Sequence, residues 1–259
     1  MTRLWAWAKR RPVVARIGAI AVFLALWELI ARTIGDPLFM AAPTQVVAAL
    51  GPLYGEADVV HAIWTTLWEL GLAFALSVAV GLLVGVPIGL HRASNESLFP
   101  IVMLLYGIPQ ITILPLVVLY FGIGPESRVA FGFTHGVFPM IVSIVAGVQN
   151  FSPLLVTSAK SMGASGAQVF RHVVFPQMVP AFFTGMRLGM SAVLLGVLLA
   201  ELYSSQGGIG HFTAAYTQTF QPANLFALIV TLAAMAIVMN EAVRRGEIRS
   251  SRWRAQQAD

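Results

Sequence analysis

Five ionisable side chains stand in or beside long apolar runs: Glu28, Glu69, Arg187, Glu201 and Glu241. A charge inside a bilayer is costly, so such residues mark a transport path, a proton relay or an ion pair. Glu69 and Glu201 suit a proton carrier or the wall of a translocation path. Arg187 and Glu241 read as groups that snorkel to an interface or pair with a neighbour. Other chemistry is hard to assemble. The chain has no cysteine, so it forms no disulfide, thiolate metal site or cysteine nucleophile. Its histidines, His61, His91, His135, His172 and His211, are scattered without metal-ligand spacing. It carries neither a Gly-x4-Gly-Lys-[Ser/Thr] phosphate loop nor a His-Glu-x-x-His motif, so it is read as no enzyme.

The elements that must position these groups are membrane helices. The chain has 259 residues, 58% hydrophobic and only 10% charged, with a mean hydropathy of +0.79. Soluble domains carry about 25% charged residues. The class is an all-α integral membrane protein. Six runs approach the roughly 20 apolar residues a span needs: Val13–Ile34, Thr66–Leu90, Leu98–Phe121, Val129–Val148, Val179–Ala200 and Ala223–Val243. Backbone groups in lipid must be satisfied within the segment, which demands helices. The net charge of +5 reflects topology rather than nucleic-acid binding. Thirteen of the 16 basic residues fall at the two termini, at Arg92 and at Lys160 and Arg171. The positive-inside rule then makes both termini and the 149–177 loop cytoplasmic. Arg32 and Arg128 fall on the outer side. The first apolar run is long for a signal peptide and lacks a small-x-small cleavage site, so it reads as a retained span. Ala42–Leu53 is expected to form a short outer amphipathic helix with Pro43 in its first turn. Trp5, Trp7, Trp64 and Trp68 sit near span ends, as interfacial anchors do.

Within the spans, Gly81, Gly85 and Gly89 recur every four residues, and Gly185 and Gly189 mark a similar stripe. Small-residue stripes let helices approach closely, so both are assigned to helix packing. Pro109 and Pro115 interrupt the third span. Tyr106, Gln110 and Thr112 beside them line a pore or merely flank a packing kink.

The segment Thr157–Pro176, TSAKSMGASGAQVFRHVVFP, is polar between two apolar runs. Gly163 breaks it into two helical pieces, and Pro176 is expected to stop the second before the next span. At this length it exceeds the usual 2–8-residue helix connection. A solvated connector is one reading. A docking element is the other, with Ala159, Met162, Val169, Val173 and Val174 offering apolar faces to a partner's groove.

These residues carry a resemblance. Thr157-Ser-Ala-x3-Gly163-x9-Val173-x-Phe175-Pro176 resembles the EAA loop of bacterial ABC importer permeases, Glu-Ala-Ala-x3-Gly-x9-Ile-x-Leu-Pro. Ala159, Gly163 and Pro176 match at the right spacing, and Val173 and Phe175 are apolar stand-ins. Thr157 and Ser158 replace Glu and Ala, so no role of that glutamate carries over. Ile108-Pro-Gln-Ile-Thr-Ile-Leu-Pro115 with Phe121-Gly-Ile-Gly124 resembles the nitrate/sulfonate/taurine branch. So do Pro176…Pro180…Thr184-Gly-Met-Arg-Leu188, Ala200-Glu201 and Gly207-Gly-Ile-Gly210.

The resemblance implies a type I ABC importer permease fold of about six transmembrane helices with cytoplasmic coupling helices, in a bacterial inner membrane. It divides the chain into residues 1–59, a permease domain at 60–245 and a basic tail at 246–259. It implies that Thr157, Ser158, Ala159, Lys160, Met162, Gly163, Ala164, Arg171, Val173, Phe175 and Pro176 face a cytoplasmic ATPase dimer. ATP and Mg would sit on that partner, with no cofactor in this chain. An extracytoplasmic solute-binding protein and a second permease copy, as a homodimer, complete the implied assembly. The expected cargo is a small anion such as a sulfonate, taurine or nitrate. A competing reading is an ion-coupled secondary transporter, with Glu69 or Glu201 carrying protons and no ATPase.

Overall fold

Prolines start most of the helices and glycines end or bend several. The computed structural model describes residues 12–150, 152–204 and 207–250. The expectations placed on Arg3, Trp5, Trp7, Lys9, Arg10, Arg11, Arg252 and Arg254 lie outside the described residues. In chain order the helices are α1 (Pro12–Thr33), α2 (Pro43–Gly55), α3 (Ala57–Leu90), α4 (Arg92–Tyr106), α5 (Leu114–Phe121) and α6 (Pro125–Gln149). Then come α7 (Pro153–Ser161), α8 (Gly166–Val169), α9 (Phe175–Ser204), α10 (Ile209–Gln218) and α11 (Pro222–Ser250). Five of them, α1, α3, α6, the continuous α8–α9 stretch and α11, are long and apolar enough to cross a membrane. A sixth span exists if the bent pair α4–α5 counts as one.

That third expected span is broken rather than merely kinked. Its two halves meet at 84°. Pro109 has no N–H to give and disfavours a helical conformation at Ile108. The chain passes through a 3₁₀ turn, Gln110–Ile113, before α5 resumes. Pro115 does not interrupt a helix, as expected above, but opens one: it lies in the first turn of α5, where the missing donor costs nothing.

The chain divides into two compact units. The first comprises residues 1–60 and 212–231. In it, Glu28 of α1 accepts hydrogen bonds from the Thr44 N–H at 3.1 Å and the Thr44 hydroxyl at 2.8 Å. Arg32 pairs with Glu28 at 2.5 Å. The expected amphipathic helix is α2. Pro43 occupies its first turn, the Gln45 side chain accepts the Ala42 N–H at 2.9 Å, and Val46 and Leu53 are buried.

The second unit comprises residues 61–211 and 232–259. Helix α6 is its centre. The Gly81, Gly85 and Gly89 stripe of α3 lies on α6. A Cβ at these positions would stand 2.8 Å from Met140 Cβ, 3.0 Å from Ile144 and 2.6 Å from Val148 Cβ. On the other flank α9 runs antiparallel to α6, Gly185 against Ser143 and Gly189 against Met140. Gly132 and Gly136 of α6 return the contact by fitting against Val197 and Val193. Lipid tails are as apolar as the side chains, so close backbone approach and dispersion drive this packing.

Candidate functional site

Two regions of the second unit carry polar chemistry. One is the α7–α8 turn. Ala164 donates to the Ala159 carbonyl at 3.1 Å and Gly163 to the Lys160 carbonyl at 3.0 Å, which closes α7 as a Schellman cap. Gly163 has φ +84°, a left-handed conformation that glycine adopts without steric cost. Ser165 and Gln168 then cap α8 reciprocally. The Gln168 side chain accepts the Ser165 N–H at 2.8 Å, and Ser165 Oγ accepts the Gln168 N–H at 3.4 Å. This Ser-x-x-Gln box is legible in the sequence but absent from the loop pattern that singled the segment out.

From α8 the chain stays helical into the next span. Pro176 does not stop it, contrary to expectation. A π-turn at Phe170–Val174 widens the helix, and Phe175 N–H bonds to the Phe170 carbonyl five residues back. The wider turn accommodates the proline ring, which would otherwise meet the carbonyl four residues earlier. Gln177 braces the arrangement: its side chain accepts the Ser152 N–H at 3.0 Å and donates to the Val173 carbonyl at 2.9 Å.

The apolar residues of the segment separate into two sets. Val169 and Val174 are buried against Ile144, Val148 and Met178, so they anchor the element to its own bundle rather than offering it outward. Met162 is 87% exposed, and Phe175 also faces out. Thr157, Ser158, Lys160, Gly163 and Arg171 are exposed, while Ala159, Ala164, Val173 and Pro176 are half-buried. An open cavity of about 410 Å³ is lined by Ala159, Met162, Gln168 and His172 among others. The surface is preformed, with a rigid underside and an open apolar tip.

At the opposite end of α6 and α9 lies a buried polar cluster that the sequence did not assemble. Glu69, Thr66 and Glu201 are fully buried and Arg128 nearly so. Arg128 Nη1 stands 3.1 Å from Glu69 Oε1 and donates to the Gly207 carbonyl at 3.0 Å. Its Nε donates to the Gly124 carbonyl at 3.2 Å. Glu201 Oε1 accepts the Thr66 hydroxyl at 2.6 Å, and its Oε2 accepts the Gly210 N–H at 2.7 Å. Thr66 Oγ1 in turn accepts the Ile209 N–H at 2.9 Å. Arg128 was read from sequence as an outer topology charge; the structure makes it a buried ion-pair partner. Thr66 went unnoticed because threonine at the edge of an apolar run carries no pattern of its own.

Tyr106, Gln110 and Thr112 lie at the α4–α5 bend. Tyr106 is exposed and stacks on Phe138, and the Thr112 hydroxyl bonds to the Pro109 carbonyl at 2.7 Å. Glu69 and Glu201 open to no surface of this conformation. Arg187 pairs with Glu247. Glu241 pairs with Arg244 at 2.7 Å and Arg245 at 3.1 Å. The pairing readings of Arg187 and Glu241 therefore hold. Among the described residues no group of His, Cys, Asp or Glu could hold a metal ion.

Comparisons with known proteins agree with this architecture. Residues 77–244 match the family model of the binding-protein-dependent transport system inner membrane component. The taurine transport system permease protein TauC of Escherichia coli (strain K12) is 30% identical over 258 residues, covering 96% of this chain and 93% of that protein. The formylaminopyrimidine transport permease protein ThiX of Halalkalibacterium halodurans is 26% identical over 236 residues, 91% of this chain and 94% of that one. Among solved structures, a chain of a bacterial alginate ABC transporter in complex with alginate pentasaccharide-bound periplasmic protein superposes with a TM-score of 0.66 at 15% identity. The match covers 96% of this chain and 98% of that chain. These matches set aside the ion-coupled secondary transporter. The chain belongs to the binding-protein-dependent transport system inner membrane component family, as a transmembrane permease of an ABC importer.

Proposed function

We propose that the α7–α8 turn is the seat of a cytoplasmic ATPase dimer, which binds ATP and Mg and drives two copies of this permease between inward- and outward-open states. The observation that carries the proposal is the preformed turn itself: Met162 and Lys160 outward, Val169 and Val174 locked into the bundle. Force applied at Met162 passes through packed helix into α9 without loss in a flexible hinge. Lys160 and Arg171 offer cations to acidic groups of the partner. In this reading the turn and both termini are cytoplasmic in a bacterial inner membrane, and a loaded solute-binding protein delivers cargo to the other face. The alginate transporter bound to its periplasmic protein supports that arrangement.

The test is purification in detergent of wild type beside a Gly163→Pro/Lys160→Glu variant, with mass spectrometry of what accompanies each. An ATPase subunit with wild type alone is the expected result. Equal recovery with both would remove the turn from the interface.

For cargo we propose a small sulfonate, following the taurine relative. Arg128, the buried cation of the bundle, is engaged by Glu69 and two carbonyls. Selection would therefore rest mainly on the binding protein. Uptake of taurine by the complete importer, inhibited by an alkanesulfonate and not by a formylaminopyrimidine, is expected; the reverse pattern would overturn the assignment.

A further inference from the structure

The end of α11 carries more positive charge than the acidic residues around it balance. There α11 lies along the first half of α9. Val243 is buried with Val179, Phe183 and Met190, and a Cβ at Gly246 would stand 3.2 Å from the Phe183 ring. Both helices line an open cavity of about 600 Å³. Arg187 comes from α9, and Ile237, Asn240, Glu241, Arg244 and Arg245 from α11. Three guanidiniums thus meet two carboxylates. Glu247 pairs with Arg187. Glu241 serves both other arginines, accepting from Arg244 Nε at 2.7 Å and Nη2 at 3.0 Å and from Arg245 Nε at 3.1 Å. One positive charge is left over. Donors are left over as well. A guanidinium has five N–H groups, and Arg245 gives Glu241 only its Nε. Its four Nη hydrogens have no acceptor among the described residues.

The cavity is apolar below this charge. Helical spacing puts Ile237, Asn240, Glu241 and Arg244 on one face of α11. Toward the middle of the span that face is bare: Ile237 is 68% exposed and the adjacent Val238 67%. Ile237 and Arg244 are about 10 Å apart along the helix axis. Apolar wall and cationic rim follow one another in the order in which a phospholipid presents its acyl chains and its phosphate. Arginine suits the rim. Its planar fork sets two donors against two phosphate oxygens, while its stem lies along apolar surface. One surplus positive charge complements a phosphodiester headgroup with one net negative charge. A zwitterionic headgroup leaves that surplus unanswered, and a free anion gains nothing from Ile237 and Val238.

We propose that the α9–α11 cavity binds an anionic phospholipid, with its phosphate on Arg244 and Arg245 and its acyl chains along Ile237 and Val238. Arg187, held by Glu247, adds charge from the α9 side. Basic pockets between membrane helices hold anionic headgroups in this way. A lipid seated there bridges α9 and α11. The site shares no residue with the α7–α8 turn, so the inference holds whichever ATPase docks.

The test uses the full chain, purified in a maltoside detergent and stripped of lipid. It is titrated with dioleoylphosphatidylglycerol or dioleoylphosphatidylcholine, and native mass spectrometry counts the bound lipid. Wild type should bind phosphatidylglycerol at severalfold lower concentration than phosphatidylcholine. Arg245→Gln should weaken phosphatidylglycerol binding about fivefold, and Arg244→Gln/Arg245→Gln about 25-fold, from the typical contribution of an arginine near an anionic headgroup. Arg92→Gln removes the same charge from an exposed pair with Glu96 outside the cavity and should leave binding unchanged. Glu241→Gln frees both arginines and should tighten phosphatidylglycerol severalfold, whereas Glu96→Gln should not. Should the double variant fail to fold, the Glu241→Gln and Glu96→Gln pair decides. Equal binding of the two lipids by wild type overturns the proposal. So does a loss in Arg92→Gln equal to that in Arg245→Gln, or an equal response to Glu241→Gln and Glu96→Gln. Inorganic phosphate in excess, at an ionic strength matched with sodium chloride, should not displace the lipid; displacement would make this a site for free phosphate and overturn the lipid assignment.

Discussion

At one end of the α3–α6–α9 bundle the chain turns at Gly163 and leaves Lys160 and Met162 facing out. At the other it turns at Gly208 and folds its backbone over Glu201. The two glycines have nearly the same conformation, φ +84° and +87°. Their surroundings are opposite. Nothing lies within 4 Å of a Cβ built at Gly163, whereas one at Gly208 would meet the Glu201 carboxylate. The first turn is fixed by its own backbone caps and leaves its side chains exposed. The second is fixed by buried side chains and has little to offer outward. The exposed turn is held from beneath by Val169 and Val174, while the sealed one is held from within by Glu201, Thr66 and Arg128.

Substitutions can break this contrast, and the largest effect is expected inside the cluster. Arg128→Met leaves Glu69 and Glu201 without their cation, a loss of about 3–5 kcal/mol of stability, read as a lowered unfolding midpoint in detergent. Gly208→Ala comes next. It adds an overpacking cost of about 1–3 kcal/mol to the ~1–2 kcal/mol of a left-handed backbone. Gly163→Ala should incur only the ~1–2 kcal/mol backbone cost, and Gly163→Asn less, because asparagine tolerates that conformation. Equal destabilisation by Gly208→Ala and Gly163→Ala would erase the distinction between the turns. Smallest in stability is Met162→Ser, expected within about 0.5 kcal/mol of wild type, yet with reduced recovery of the ATPase subunit. If Met162→Ser instead destabilises the isolated chain, the residue is structural and not part of the docking tip.

Much of the fold was legible because lipid simplifies the rules. Every span must be a helix of sufficient apolar length, and five of the six runs overlap the long apolar helices of the structure, the remaining one falling on the bent α4–α5 pair. The glycine stripe at 81, 85 and 89 announced a close helix contact, although not that α6 would be its partner. The loop motif located the turn, since Gly163 and Pro176 keep a fixed spacing. Its faces were misread at Val169 and Val174. Short apolar residues in a polar segment look alike in sequence whether they point to a partner or to their own core. The break at Pro109 was legible as an interruption, but 84° was not, because the angle depends on what the freed carbonyls and Thr112 find nearby.

The sequence by itself determined the class, the helices, the loop motif and the residues too polar for lipid. It did so through local and one-dimensional quantities: apolar length, proline and glycine positions, and the distribution of arginine. Only the tertiary structure decided what Glu69, Arg128 and Glu201 do. They lie 59 and 73 residues apart along the chain, and no local preference relates them. Antiparallel packing of α6 on α9, with α3 against the other flank, brings one arginine between two glutamates and sets a glycine turn over them. Buried charges must find partners, and which partners they find is a property of the packing.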